Sequence, residues 1–261
     1  MKPIEILYQD EEIFVINKPS GLAVQGGKGV THSVDRDLPQ QVGVPVYLVH
    51  RLDKDTAGLM VVAKSPAAAS KWIKLVGSGE VKKVYEAVCT GRITPEKGVI
   101  RESLIQHGVV REAVTHYEVV KKWTVNVRAE IAGESISAEG DNGDNGDRTN
   151  KDKCANKDKC ANKGDREKSP QEAAVQVIPM QKIRLKLETG RMHQIRIHLA
   201  GKGCFIAGDD KHGDFKVNKL LKKACGIKKL LLASISLEIP IFGERKVFTI
   251  PLPEYFPPES R

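Results

Sequence analysis

Short apolar runs, some continuous and some alternating with polar residues, recur along most of the chain and predict many short strands. The predicted strands cover residues 4–8, 13–17, 46–49, 58–63, 83–90, 113–121, 182–187 and 229–239. Helical spacing occurs in two segments. Ala68, Trp72 and Leu75 share one face of a predicted helix over 67–76, and a second helix is predicted over 192–200. The pattern therefore indicates a strand-rich protein with few helices, without selecting a particular fold.

Two segments lack this regular pattern. Residues 25–45 are rich in glycine, proline and polar side chains, which predicts a long loop. Residues 133–172 hold almost no bulky apolar side chain, and the hexad Lys-Asp-Lys-Cys-Ala-Asn occurs there twice, at 151–156 and 157–162. Such a segment cannot bury enough surface to offset its ordering entropy. Because strand-like sequence resumes on both sides, we expect a disordered surface insertion within one domain that spans 1–261.

The charge balance favours a polyanionic partner. The 261-residue chain has 42 Lys and Arg against 33 Asp and Glu, a formal net charge of +9. Basic side chains gain affinity for a nucleic acid by releasing counterions from its phosphates. Many basic proteins have no such partner, so charge alone leaves nucleic-acid binding and an ordinary basic surface equally open. Aromatic residues make up 5% of the chain, too few for a dense base-stacking platform.

Cysteine usage and the N-terminus argue against a secreted protein. The chain has five cysteines, an odd number that does not suit a disulfide scaffold. Cys154 and Cys160 are separated by more residues than the ligand pairs of zinc sites usually are. The first residues lack the charged-then-apolar layout of a signal peptide, and no apolar run approaches the roughly 20 residues that span a bilayer. We therefore expect a cytoplasmic protein with no membrane partner.

Two segments are candidates for chemistry. The loop 50–58 carries several charged side chains between two predicted strands, and loops held by rigid strands often carry functional groups. Taken alone, a solvated hairpin loop is the more common structure for such a sequence. Basic or titratable residues also cluster on the second predicted helix, where they could face phosphates or form a charged surface. They are Arg191, His193, Arg196 and His198.

Metal and nucleotide sites are not indicated. His193 and His198 are five residues apart, so they do not share a helix face as a metal-binding pair would. The glycine-rich run at 26–29 lacks the Lys-Ser/Thr of a phosphate-binding loop. No Gly-x-Gly-x-x-Gly follows a predicted strand, as a dinucleotide site would require. We expect neither a metal nor a cofactor.

Six segments, taken in chain order, resemble the motifs of one enzyme family. They are Lys18-Pro19-Ser20-Gly21, His50-Arg51-Leu52-Asp53-Lys54-Asp55-Thr56-Ala57-Gly58, Lys83-Val84-Tyr85-Glu86-Ala87, Ala113-Val114-Thr115-His116-Tyr117, Gly190-Arg191-Met192-His193-Gln194-Ile195-Arg196-Ile197-His198-Leu199-Ala200 and Gly208-Asp209-Asp210-Lys211-His212-Gly213. The set resembles the RluA-type family of RNA pseudouridine synthases. One such segment would be weak support, but the ordered set is highly specific and extends over most of the chain outside the insertion.

The chain departs from the family pattern at three positions. Ala57 stands where serine is usual, Met192 where threonine or serine is usual, and His212 where tyrosine is usual. None of these replaces the catalytic residues that the resemblance implies. Because a strand is predicted almost from Met1, we also expect no S4-type RNA-binding domain before the catalytic region.

The resemblance implies a fold and an activity. The fold is a single mixed α/β (α+β) catalytic domain with a central, largely antiparallel sheet, flanking helices and a cleft for RNA. The activity is isomerisation of specific uridines in structured RNA, either ribosomal or transfer RNA, to pseudouridine. The reaction moves the ribose C1′ from N1 to C5 of the same base without redox chemistry, so no cofactor is implied. We expect the protein to act as a monomer.

The resemblance also implies roles for individual residues. The catalytic residues are Asp53, Tyr85 and Arg196. Asp53 would be the nucleophile, Arg196 would keep it ionised, and Tyr85 would lie against the target base. The residues implied or expected to contact RNA are Arg51, His50, Arg191 and His193. The alternative is a catalytically inactive, basic RNA-binding or ribosome-assembly protein on the same fold, but a protein that only binds RNA has no use for a carboxylate facing phosphates.

Overall fold

The computed structural model describes residues 3–106, 108–128 and 175–257. The insertion predicted at 133–172 lies outside these residues, so its disorder stays a prediction, as does the single domain over 1–261. The chain divides into a compact unit of Met1–Val127 with Val177–Arg261 and a second unit of Arg128–Gln176. All four helices of the described ranges and all the site residues lie in the first unit.

Strands and helices alternate along the described residues. In chain order they are β1 Glu5–Gln9, β2 Ile13–Lys18, α1 Val34–Val42, β3 Tyr47–Leu48, β4 Ala57–Ala63, α2 Pro66–Gly77, β5 Lys82–Thr90, β6 Lys97–Gln106, β7 Val109–Arg128, β8 Val175–Leu187, α3 Gln194–Gly201, β9 Phe205–Ile206, α4 Phe215–Cys225, β10 Leu232–Ile241 and β11 Glu244–Thr249. None of these helices is long and apolar enough to cross a membrane.

The strands form one sheet in the order β1-β2-β4-β10-β5-β8-β7-β6, with β11, β3 and β9 added to β10, β4 and β5. Among the described strands with a defined register, β4 and β10 pair in parallel, through Ala57 with Ala233 and Gly58 with Ser234, and the other pairs are antiparallel. The mixed α/β (α+β) fold with a central, largely antiparallel sheet is thereby confirmed.

The centre of the sheet is covered on both faces. All seven residues of β4 are buried, as expected for a strand with protein on each side. Met60 faces one apolar cluster together with Phe14, whereas Val61 faces a second cluster that includes Trp72 of α2. The predicted inner face of α2 is confirmed, since its Trp72 is fully buried. This rigid centre fixes the position of the loop that precedes β4.

The prediction of a loop over 25–45 is wrong for part of its length, because α1 forms there. Val34 and Leu38, one turn apart, are both fully buried. Two aspartates lie in the first turn, where the helix dipole favours negative charge, and Gly43 ends the helix with a φ of 74°. Pro39 lies inside the helix. Proline usually interrupts a helix, and the surrounding glycines favour a loop, so the sequence pattern does not predict α1. Burial of its apolar side chains stabilises the helix instead.

Other differences concern strand length and exposed elements. The strands predicted over 113–121 and 182–187 are longer, and the one over 46–49 shortens to β3. The helix predicted from residue 192 begins at Gln194. The apolar pattern predicts neither β6, β9, α4 nor β11. Most residues of β11 and of α4 are not buried, so their sequences carry little of the apolar periodicity on which such predictions rest.

Candidate active site

Asp53 lies in the loop between β3 and β4, and this loop is tied to the turn that follows β2. The fully buried Lys18 donates from its Nζ to the carbonyl oxygens of Pro19, Leu22 and Lys54 at 2.8–2.9 Å. Gly21 donates its N–H to the same Lys54 oxygen. Burial lowers the pKa of Lys18 to about 7, partly opposed by nearby carboxylates. The segments 18–21 and 50–58 therefore form one hydrogen-bonded unit around Asp53, the candidate nucleophile.

The far end of the loop is fixed by a close approach of two strands. Gly58 has a φ of 114°, and a Cβ atom placed on it would meet the carbonyl oxygen of Ser234 at 2.2 Å. No side chain fits between β4 and β10 at this point. The backbone that leads out of the Asp53 loop is therefore held against β10.

Arg196 connects Asp53 to a second carboxylate. Its Nη1 donates to Oδ2 of Asp53 at 3.3 Å, while Nε and Nη2 donate to Oδ2 and Oδ1 of Asp209 at 2.8 and 2.6 Å. Arg196 and Asp209 are buried, whereas the Asp53 side chain stays 22% exposed. Burial opposes the charge of Asp209, but the hydrogen bonds from Arg196 hold its pKa below the ordinary value. The guanidinium of Arg196 therefore bridges the two acids, with two bonds to Asp209 and one to Asp53.

Two histidines lie beside Asp53. His193 has a φ of 54° immediately before α3, and its Nε2 is 3.9 Å from Oδ1 of Asp53. Its Nδ1 is 2.9 Å from Nε2 of His212, so one ring donates to the other. Burial lowers the pKa of both histidines. The pair is therefore neutral at pH 7 and adds no positive charge to that of Arg196.

Tyr85 completes the predicted catalytic set. It is buried on β5 and lines the same cleft as Asp53 and Arg196. Burial, followed by the negative charge of Asp53, raises the pKa of the phenol. The hydroxyl therefore remains protonated across the physiological pH range and can donate a hydrogen bond but cannot carry a negative charge.

All seven residues named from the sequence line a single cleft of about 550 Å³. They are Asp53, Tyr85, Arg196, Arg51, His50, Arg191 and His193. The sequence alone places these residues in three segments separated by up to 140 residues or so, and the structure brings the segments together. Their roles remain predictions, since geometry establishes proximity only.

Two of the histidines have structural contacts. Nε2 of His50 accepts the N–H of Val61 at 3.0 Å, and burial lowers the pKa of His50 to about 3. His50 is therefore neutral and attaches the loop to β4, so it cannot bind a phosphate as a cation. His198, one of the four helix residues that could have faced phosphates or formed a charged surface, is fully buried, with its Nδ1 2.9 Å from Oγ1 of Thr115. Neither alternative holds for His198, because this side of α3 packs on β7.

Comparison with known proteins identifies the family of this chain. Residues 12–201 match the family model of the RNA pseudouridylate synthases. The chain belongs to that family. Among curated relatives, ribosomal large subunit pseudouridine synthase D of Haemophilus influenzae is 28% identical over 97% of this chain and 69% of its own length. Synthase D of Escherichia coli strain K12 is 30% identical, over 81% of this chain and 53% of its own length.

Solved structures show the same fold. The human RNA pseudouridylate synthase domain containing 4 superposes with a TM-score of 0.62 at 23% identity, covering 97% of this chain and 90% of that one. The human domain containing 1 gives a TM-score of 0.61 at 19% identity, covering 96% and 86%. The chain therefore shares the fold of these two domains.

The three departures from the synthase pattern have different surroundings. Ala57 is buried in register with Ala233 of β10, so a small side chain suits it. Met192 is 54% exposed and lines the cleft. His212 contacts His193, with the two rings nearly perpendicular at a centroid distance of 5.1 Å. His212 therefore lies one contact away from Asp53, through His193.

Asp209 and Lys18 are site residues that the sequence analysis missed. Both lie in segments that match the synthase motifs, Gly-Asp and Lys-Pro, so the signal was present. Neither motif indicates what the residue does. Asp209 orients the guanidinium of Arg196, and Lys18 binds backbone carbonyl oxygens that hold the Asp53 loop. Asp209 also accepts the N–H groups of Lys211 and His212. No group of three or more potential metal ligands occurs among the residues that the structure describes.

Proposed function

We propose that this protein isomerises uridines in structured ribosomal RNA to pseudouridine, with Asp53 as the nucleophile. The observation that carries the proposal is the contact of 3.3 Å between Nη1 of Arg196 and Oδ2 of Asp53, inside a cleft that Tyr85 also lines. A carboxylate at the rim of a basic cleft, held by a buried arginine, suits a reaction that needs a nucleophile able to bond and leave again.

The chemistry requires little besides these groups. The bond between uracil N1 and ribose C1′ breaks, and a bond between C5 and C1′ forms. N1 ends with a proton and C5 loses one, so atoms and electrons balance without any co-reactant. Asp53 is the group that bonds to the substrate and later departs. Arg196 donates a hydrogen bond to Asp53, and the protonated Tyr85 offers a ring for stacking and a hydroxyl that can donate.

Access to the target base requires base flipping. A stacked uridine must leave its helix to reach the cleft, at a cost of a few kcal/mol. Arg51, two residues before the nucleophile, is exposed at the mouth of the cleft. Its planar guanidinium can stack and hydrogen-bond in the space that the base vacates, which a lysine cannot do. Arg191 lies on the same rim and, with the net charge of +9, supplies phosphate contacts.

Ribosomal RNA is the substrate class that we favour over transfer RNA. The curated relatives from three bacterial species carry names that refer to the ribosomal large subunit. Action as a monomer, expected from the sequence, is part of the same proposal. A cytoplasmic location, expected from the sequence, is part of the same proposal and can be tested by fractionation.

Pseudouridine mapping in cells tests this proposal. Ribosomal and transfer RNA from cells with and without the gene are compared after chemical labelling of pseudouridine. The proposal expects one or a few ribosomal positions to lose the modification, and to regain it with the wild-type protein but not with Asp53→Asn. If pseudouridine were lost only from transfer RNA, the substrate would be transfer RNA and not ribosomal RNA. Unchanged RNA in both pools would favour the inactive RNA-binding protein, for which the structure offers no specific support.

A further inference from the structure

Lys83 is a basic residue of the cleft that has no partner among the described residues. It lies on β5, is partly buried, and lines both the main cleft and an adjoining cavity of about 470 Å³. No carboxylate comes within 4.0 Å of its ammonium, and no hydrogen-bond acceptor is in reach, within the part of the chain that the structure describes. Burial lowers its pKa.

The neighbouring lysine is paired, which makes the contrast informative. Lys82 is exposed, and its Nζ is 3.3 Å from Oε1 of Glu238 on β10. Successive residues of a strand face opposite sides. Lys82 borders the adjoining cavity but not the main cleft, whereas Lys83 borders both. Leaving a partly desolvated ammonium without an anion is unfavourable. A position of this kind is stabilised when an anionic ligand enters the cleft.

The position of Lys83 relative to Tyr85 indicates which anion. The two residues are on the same face of β5 and two positions apart, so about 7 Å separates them along the strand. One extended nucleotide covers a comparable distance. A uridine stacked on Tyr85 therefore places one of its flanking phosphates near the Lys83 ammonium, where the cleft opens into the second cavity.

We propose that Lys83 binds the phosphate that joins the flipped uridine to its neighbour, at the junction of the two cavities. The inference rests on the proposed function, because it takes the base on Tyr85 to be the target uridine. Lys83 is a positioning residue: it holds the backbone of the substrate and takes no part in bond making. The adjoining cavity then receives the next nucleotide of the strand.

The test compares Lys83→Ala and Lys83→Met with Lys82→Ala, which removes the same charge from the adjacent, paired position. The probe is a stem–loop RNA of about 20 nucleotides, long enough for one phosphate-contact footprint, with one uridine in its loop. Binding is measured over a series of salt concentrations. Each linkage around the uridine is then replaced in turn by a neutral methylphosphonate next to a 2′-deoxy sugar.

Both Lys83 variants should weaken binding about tenfold, as expected for a charged hydrogen bond. The slope of log K against log salt should fall by about 1. Lys82→Ala should change affinity by less than about threefold. In the wild type one neutral linkage should weaken binding, and in the Lys83 variants the same linkage should cost nothing further. Turnover at saturating RNA should persist within a few fold.

Three results would overturn the inference. Equal losses in the Lys82 and Lys83 variants would mean general attraction to RNA. If each neutral linkage weakened RNA binding equally in the wild type and in the Lys83 variants, a specific phosphate contact of Lys83 would be excluded. A lost rate at saturating RNA with unchanged affinity would place Lys83 in the chemistry. Failure of the proposed function is separate, since it would show as a lack of pseudouridine with the wild-type enzyme on ribosomal RNA transcripts.

Discussion

Two guanidinium nitrogens of Arg196 donate hydrogen bonds to Asp209, at 2.8 and 2.6 Å, and the third donates to Asp53 at 3.3 Å. Asp209 is 2% exposed, so this bidentate pair is the buried and well-aligned part of the contact. Asp53 has the longer and single bond. One carboxylate oxygen of Asp53 is therefore not bonded to Arg196. The two bonds to Asp209 fix the orientation of the guanidinium.

Asp209→Asn should therefore lower the rate at saturating RNA on the order of 100-fold, because the guanidinium loses its orientation. Urea unfolding should show a loss of about 3 kcal/mol, since a buried arginine is left partly uncompensated. RNA affinity should stay within a few fold. Asp35→Asn is the control, because Asp35 accepts hydrogen bonds from Gly26 and Ser33 away from the cleft. An Asp209→Asn enzyme with normal turnover would show that Arg196 needs no such orientation.

Tyr85 variants should separate stacking from proton donation. Tyr85→Phe keeps the ring, so RNA affinity should be near normal while the rate falls on the order of 100-fold through loss of the hydroxyl. Tyr85→Ala should also weaken binding by about 1–3 kcal/mol, the usual worth of one base stacked on an aromatic ring. Tyr117→Phe provides the matched control, since that buried hydroxyl donates to Pro95. Full activity in Tyr85→Phe would restrict Tyr85 to stacking.

Gly58 should be intolerant of any side chain. Gly58→Ala adds a Cβ that meets the Ser234 oxygen at 2.2 Å and forces alanine to a φ of 114°. We expect a loss of about 3 kcal/mol or more in unfolding free energy, or failure to fold. Gly27→Ala, with nothing within 4 Å of the added atom, should change stability by less than about 1 kcal/mol. Equal thermal unfolding of the two variants would contradict the close approach of β4 and β10.

Protonation of His50 should destabilise the fold in acid. Its pKa is about 3 in the folded protein, whereas an exposed histidine titrates near 6.5. Between these values the unfolded chain binds more protons, so stability rises with pH and is lost progressively as pH falls below about 6.5, by up to about 1.4 kcal/mol per unit. His50→Gln, which retains an acceptor for Val61, should flatten this dependence between about pH 4.5 and 6.5. An unchanged slope in urea unfolding would mean that His50 stays protonated or exposed.

Much of the sheet is predictable from the sequence because its strands are covered by protein. Residues 58–63 are uniformly apolar and form the centre of the sheet, and Trp72 identifies the inner face of α2. The failures occur where burial is partial or local. Pro39 conceals α1, and the lysine-rich α4 buries only Leu221 completely. In such elements tertiary contacts, more than residue type, determine the structure.

The candidate site follows the same division. The ordered motifs predict Asp53, Tyr85 and Arg196, and the structure brings them together. The roles of His50 and His198 depend on which way each ring turns, which spacing does not encode. Asp209 lies in a recognisable Gly-Asp motif, yet its function depends on a contact with Arg196 that only the folded chain creates. Lys83 is similar, because an unpaired cation is recognised only once its surroundings are known.

The most direct test of the central claim is the activity of purified Asp53→Asn. The variant should fold, because Arg196 keeps both bonds to Asp209. Tritium release from uridine-labelled ribosomal RNA is measured for the wild type and the variant, together with RNA affinity. We predict release by the wild type, none by Asp53→Asn, and affinities within a few fold of each other. Normal release by Asp53→Asn would contradict the assignment of Asp53 as the nucleophile.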